Sequence, residues 1–280
     1  MNFKFILFIW FILIGQIFPQ NYKPLAVIGD FNSAAAFSIT PAGNIYVTDA
    51  GTNEIYKLDT LGNIIDYIGG FGWDPSAFDY PADVYANTLK TLVTDKNNHR
   101  IQVFDKNLNF LYEFSTEELE NQQKEFSYPV SAATSAQGDL YILDSDNQRV
   151  VKFDINGNYI LEIGSFDAGN FSLQNPKRLA VSQNELLFVA DKNQIIVFDR
   201  FGTGIAKLPS PVSPENINIL FNNLSINNSD SIFTINLAVK DWTFTKILSA
   251  EELPVGIVEA SVFKNKLYVL TRKNIHIFVR

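Results

Sequence analysis

Residues 139–164 read DLYILDSDNQRVVKFDINGNYILEIG, and this stretch decides the fold. An apolar strand runs into Asp144, a polar turn follows, and a second apolar strand runs into Asp154. A Gly/Asn turn at 156–158 then leads to a third run at 159–163. The pattern recurs at 44–69 (NIYVTDAGTNEIYKLDTLGNIIDYIG), at 91–114 (TLVTDKNNHRIQVFDKNLNFLYEF) and, shortened, at 186–208 (LLFVADKNQIIVFDRFGTGIAKL). The strand-ending residues Asp49, Asp95, Asp144 and Asp191 are 46, 49 and 47 positions apart. A second Asp follows ten positions later in three copies (Asp59, Asp105, Asp154) and eight later in the fourth (Asp199). A period in the forties with several short strands per unit is the pattern of propeller blades.

Working outward, an inner strand precedes each copy, at 84–86, 131–133 and 179–181. The Gly/Asn pairs at 62–63 and 157–158 suit the positive φ values of tight hairpins. The C-terminal third is less regular. There 231–237 reads as a second strand and 242–248 as a third, and the last unit runs through 259–263, 267–270 and 275–279. Placing Asn236 and Thr271 at the Asp positions gives intervals of 45 and 35, which predicts a fifth unit trimmed by about one strand and a turn. The last unit lacks a fourth strand, whereas KPLAVIGDF at 23–31 matches the fourth strands IIDYIGGF (64–71) and YILEIGSF (159–166). An open ring would leave unpaired sheet edges in water. The expected fold is therefore all-β: a six-bladed β-propeller over 22–280, with the N-terminal strand completing the last blade.

Composition narrows the function classes. Apolar residues make up 46% and charged residues 19%, a globular balance that rules out wholesale disorder. A net charge of −8 argues against binding nucleic acid by phosphate neutralisation. The absence of Cys excludes disulfides, thiolate metal sites and a thiol nucleophile, and two His cannot build a three-imidazole site. Residues 5–14 (FILFIWFILI) form an unbroken apolar run behind a single Lys. The run is too short to span a bilayer comfortably and fits a signal peptide, with 1–15 as the segment removed. The expected location is secreted or periplasmic, with a membrane role only if this segment stays uncleaved. Residues 116–124 suit one or two helical turns.

DKNNHRIQVFD at 95–105 resembles the signature of the NHL-repeat family, with Asn98 and His99 at its first two letters and Arg100 at the third. The other copies are relaxed: Thr52-Asn53-Glu54, Asn147-Gln148-Arg149 and Gln194. The resemblance implies a six-bladed propeller, often a binding platform, with lyases and lactone hydrolases among related propellers. Fold alone does not assign a function.

Individual residues sort as follows. His99 reads as a turn residue bonded within its blade, because Asn53 and Gln148 at the matching positions hydrogen-bond without acting as general bases. His276 sits in an alternating strand and is expected to be exposed. The Asp ladder reads as strand-end carboxylates accepting N–H groups of the following turn, and 144–147 lacks the Gly and distant Glu of a calcium loop. No nucleophile elbow or phosphate loop is present. The approaches to the inner strands are more informative: Tyr80-Pro81-Ala82-Asp83, Tyr128-Pro129-Val130-Ser131 and Asn175-Pro176-Lys177-Arg178. Asp83, Ser131 and Arg178 are predicted to face one mouth of the central channel, with Trp73 in the loop above it as an interface anchor. These four are the candidate ligand-binding residues. No catalytic residue, metal or cofactor is called for. The expected role is a monomeric platform for a protein, peptide or glycan. The alternative is a metal-assisted hydrolase or lyase with carboxylate and Asn ligands in the channel, Asp83 and Glu259 among them.

Overall fold

The second strand of each repeat is apolar on both faces, so it needs neighbours on both sides. Every residue of IYVTD at 45–49 is buried. In the computed structural model this demand is met by sheets packed face to face around an axis. Residues 20–115, 125–249 and 253–280 are described. The leader expected at 1–15 and the turns expected at 116–124 lie outside them.

The first strand is β1 (Gln20–Ile28). Blade 1 comprises β2 (Ala34–Ile39), β3 (Ile45–Asp49), β4 (Glu54–Leu58) and β5 (Ile64–Gly69). Blade 2 comprises β6 (Pro81–Ala86), β7 (Lys90–Asp95), β8 (Arg100–Asp105) and β9 (Phe110–Ser115). Blade 3 is β10 (Ser131–Thr134), β11 (Leu140–Asp144), β12 (Arg149–Phe153) and β13 (Tyr159–Ile163). Blade 4 is β14 (Pro176–Val181), β15 (Leu187–Asp191), β16 (Gln194–Phe198) and β17 (Gly204–Pro209). Blade 5 is β18 (Asn216–Leu220), β19 (Asn223–Asn227), β20 (Ile232–Asn236) and β21 (Thr245–Ser249). Blade 6 has β22 (Ile257–Phe263), β23 (Lys266–Thr271) and β24 (Ile275–Val279), with β1 as its fourth strand. The inner strands touch in sequence, β2 to β6, β10, β14, β18 and β22, and β22 returns to β2. The fold is a closed six-bladed propeller.

β1 does more than complete blade 6. Lys23 to Ile28 run antiparallel to β24 in the register Lys23↔Val279 to Ile28↔Ile275, and Gln20 to Tyr22 run parallel to β21 of blade 5. One strand therefore joins the outer edges of two blades.

The core divides into six apolar clusters, one between each pair of neighbours. Tyr46, Ile55, Val93 and Phe104 fill the space between blades 1 and 2, while Ile45 and Val47 face the other way, onto Tyr268 and Leu270 of blade 6. Alternate side chains of one strand thus serve two interfaces. The turns after the third strands repeat one device: Asp59, Asp105, Asp154 and Asp199 each accept backbone N–H groups two and four residues on. This is the Asx turn that Asp favours.

Blade 5 corrects the sequence-based register. The segment read as a second strand (231–237) is largely the third strand, β20, and 242–248 overlaps the fourth, β21. Asn227, not Asn236, holds the Asp position, giving intervals of 36 and 44 around it. The missing residues come from the connection between blades: 210–215 joins β17 to β18, where 70–80 joins β5 to β6. The blade keeps all four strands.

Candidate binding face and channel

A recurrent irregularity places the channel residues. Register shifts fall between Ala34/Ala36, Pro81/Asp83, Pro176/Arg178 and Ile257/Glu259, at the start of four inner strands. A bulge of this kind re-aims the side chain that follows it. Ala36, Asp83, Arg178 and Glu259 consequently pair with Thr48, Thr94, Ala190 and Leu270, one step inside the strand-end position. Ser131 pairs with Leu143 at the same level.

Arg178 crosses the axis. Its guanidinium donates to the carbonyl oxygens of Val130, Ala82 (2.8 Å) and Ala35 (3.4 Å), on three other blades, and lies 4.0 Å from the Asp83 carboxylate. Two cavities meet at this side chain, and it is the residue common to both. The first, about 580 Å³, opens where the chain enters the inner strands. Lys96, Lys177 and Arg272 line it, and none of the three forms an ion pair among the described residues; Glu215 is the acidic residue of the lining. Tyr80 also lines it, with the Lys96 ammonium 5.8 Å from its ring centre.

The second cavity, about 460 Å³, opens at the opposite face. Its inner end holds Asp83 and Glu259, and its walls are mainly small or aliphatic, such as Ala86, Ala133, Ala180 and Val181. Glu259 accepts the Phe37 N–H (2.9 Å) and an Asn218 amide hydrogen (3.0 Å), and Asn218 in turn accepts from the Ser261 hydroxyl. Burial pushes the Glu259 carboxyl up to about 8, and the nearby Asp83 charge adds to the rise against the Phe37, Arg178 and Asn218 interactions.

The loop before blade 2 is held by Arg100. This guanidinium is buried and donates to Asp95 (2.8 Å), Glu113 (2.7 Å) and the carbonyls of Trp73, Asp74 and Ala77. Burial raises the Asp95 pKa, opposed by bonds from Arg100, Asn98 and the Asp79 N–H. The Asp ladder thus works backwards along the chain as well as forwards. Asp49 accepts from Asn32 and Ser33 as well as Gly51, and Asp191 from Gln174 and Asn175. Asp49, Asp95 and Asp191 each tie down the approach to their own inner strand, whereas Asp144 bonds the Asn147 and Arg149 side chains of its turn.

His99 corrects the expected bonding within its blade. Its Nδ1 accepts the Tyr128 N–H of the blade 3 approach (3.1 Å), with the rings 4.1 Å apart. Asn53 does the same for Tyr80 (2.8 Å). Tyr80 and Tyr128 have positive φ, 61° and 46°, a costly conformation these bonds hold in place. His276 is half-buried rather than exposed, and burial lowers its pKa.

Of the four candidates, Asp83 and Arg178 come together in the channel. Ser131 is fully buried, its hydroxyl bridging to the Leu179 backbone of blade 4. Trp73 is 65% exposed on the loop above and lines neither cavity. Lys96 and Arg272 escaped the sequence reading although both directly follow a strand-end position, Asp95 and Thr271. Asn218 escaped it because blade 5 was out of register.

Residues 78–104 and 126–153 match the pattern of the family described as NHL repeat. Those segments carry the Asp95–Arg100 and Asp144–Arg149 pairs of blades 2 and 3. Blades 2 and 3 of this propeller are NHL repeats. It is 27% identical over 144 residues to Protein brain tumor of Drosophila melanogaster; the match covers 50% of this chain and 13% of that protein. Among solved structures, virginiamycin B lyase from Staphylococcus aureus is 13% identical with a TM-score of 0.61, covering 93% of this NHL-repeat chain and 99% of that one. A gluconolactonase from Xanthomonas campestris is 10% identical with a TM-score of 0.66, covering 90% and 87%. At these identities the likeness is one of fold.

Proposed function

We propose that this NHL-repeat propeller is a binding platform for an acidic protein or peptide ligand, taken up by the face that carries the basic mouth. One observation carries the reading: Lys96, Lys177 and Arg272 stand around that mouth with no ion pair among the described residues, in a chain whose net charge is −8. Opposed charge steers association and selects partners. The exposed aromatics of the connecting loops and inner-strand approaches, Phe71, Trp73, Tyr80, Tyr128 and Phe166, supply apolar anchors. In this scheme Trp73 contacts the ligand, while Arg178 and Ser131 shape the mouth from below. The proposed setting is outside the cytoplasm, with the leader at 1–15 removed; N-terminal sequencing of the mature chain tests that.

Selection of random displayed peptides against the whole chain tests the function. Enriched peptides are expected to be rich in Asp and Glu, and to lose at least about tenfold in affinity against a K96E/K177E/R272E variant. Enrichment without acidic bias, or equal binding to that variant, overturns the proposal.

The metal-assisted hydrolase or lyase alternative has in its favour that Asp83 and Glu259 line one cavity with Asn218. Among the described residues no three His, Cys, Asp or Glu side chains are grouped to hold an ion, so amide or water oxygens would complete the set. Metal analysis of the purified chain, with substrate hydrolysis assayed before and after chelation, decides this.

A further inference from the structure

We propose that the funnel on the far side of Arg178 is a second binding site, for a small molecule with an apolar body and a protonated amine head. The proposal does not rest on the peptide-binding reading, since the two cavities have different linings and open on opposite faces.

The geometry comes first. The carbonyl groups that occupy Arg178, those of Ala35, Ala82 and Val130, belong to residues of the basic mouth and not of the funnel. The guanidinium is thus committed to one side. On the other side the funnel ends at two carboxyl groups, Asp83 and Glu259. One Asp83 oxygen accepts the Val84 N–H; the other lies 4.0 Å from Arg178, beyond hydrogen-bond distance, and accepts no hydrogen bond among the described residues. That oxygen is an acceptor in want of a donor. Arg178, Asp83 and Glu259 are the only Lys, Arg, His, Asp or Glu among the lining residues, so the walls and outer end carry no formal charge. Leu89 and Phe221 stand exposed at the outer end. A funnel of about 460 Å³, with uncharged walls in which aliphatic and Ala side chains alternate with Ser and Thr and with charged groups converging at one end, has the form of a small-molecule site.

The charges select the head group. A carboxylate head would meet Asp83, a like charge. A hydroxyl would satisfy one acceptor but would add no charge to favour the ionised form of Glu259. An ammonium donates to the free Asp83 oxygen and places a positive charge near Glu259. Asp83 on β6 and Arg178 on β14 are the charged groups that act on Glu259. Of the strands packed against β22, β2 offers the Phe37 N–H and β18 offers Asn218; β19 has no titratable residue. β23 has Tyr268 and Lys266, paired opposite Ser261 and Phe263. An added cation favours the ionised form of Glu259, so amine uptake near neutral pH releases its proton.

Calorimetric titration of the whole chain with n-hexylamine, 1-hexanol, hexanoate, Mg²⁺ and Ca²⁺ tests the inference. Hexylamine is expected to bind, with a heat that varies with the buffer's ionisation enthalpy, and with affinity rising up to about tenfold per pH unit between pH 6.5 and 7.5. Glu259→Gln is expected to retain amine binding and lose its pH dependence. Asp83→Asn is expected to weaken it at least about tenfold. Hexanol or hexanoate binding as well as hexylamine, metal ions binding where hexylamine does not, or no binding by any probe overturns the proposal. The unmodified chain decides these outcomes even if a variant fails to fold. Retention of the selected acidic peptides by both variants keeps this test separate from that of the platform.

Discussion

In blade 2 the Asp95 carboxylate gathers Asn98, Arg100 and Gln102, and Arg100 goes on to Glu113 and three carbonyls of the loop before the blade. In blade 5 the same position is Asn227, whose amide reaches the carbonyls of Asn228 and Val258. Both blades nevertheless have four paired strands. The ionic cluster is therefore not what makes a blade. It accompanies the long connection at 70–80, which it pins through Trp73, Asp74 and Ala77; blade 5 has only 210–215 to hold. Charge is concentrated where a long connecting loop needs a rigid base.

The comparison is broken most directly by Arg100→Ala. This leaves the Asp95 carboxylate buried without its cation and is expected to cost about 3–5 kcal/mol in urea unfolding, against about 1–2 kcal/mol for Asn227→Ala. Equal costs would show that amide and ionic clusters do the same job. The joint between blades 5 and 6, where Asn218 meets Glu259, supplies the next test. The Glu259 carboxyl has an ordinary value of 4.5 and is pushed up to about 8 by folding, so the native state binds the extra proton between these values. Its contribution is complete below pH 4.5 and is lost as pH rises to 8, by up to about 1.4 kcal/mol per pH unit. Glu259→Gln is expected to remove that slope from the stability profile.

Smaller effects sharpen the contrast between holding a loop and using it. His99→Ala removes the bond to the Tyr128 N–H and is expected to cost about 1 kcal/mol, read as a lower midpoint of thermal unfolding. Trp73→Ala touches an exposed side chain and is expected to change stability by less than about 0.5 kcal/mol while weakening the selected peptides. A stability loss as large as that of His99→Ala would make Trp73 a packing residue.

Blades 1 to 4 were legible because strand, Asp and turn recur in step, and the closing strand was legible because VIGDF repeats the cadence of YIGGF. Blade 5 was not: Asn replaces Asp, and a polar run, NNLSINN at 222–228, hides a strand whose central residues are buried between neighbours. Asp83 and Arg178 were legible because Pro announces the bulge that aims them; Glu259 follows the same bulge without a Pro. What Arg178 does there was not legible, since its partners are carbonyls on three other blades. Lys96 and Arg272 become neighbours only through ring closure, which no local pattern encodes.

The stitching of β1 across β21 and β24 sets the order of assembly. Ile28 cannot find Ile275 until the chain has emerged from the ribosome as far as that residue. Until then the Lys23 to Ile28 part of β1 is a ribbon without a mate, and five sheets wait in an arc. A nascent chain in that state can offer its loose ribbon to the arc of another, and two such chains would close as an exchanged pair.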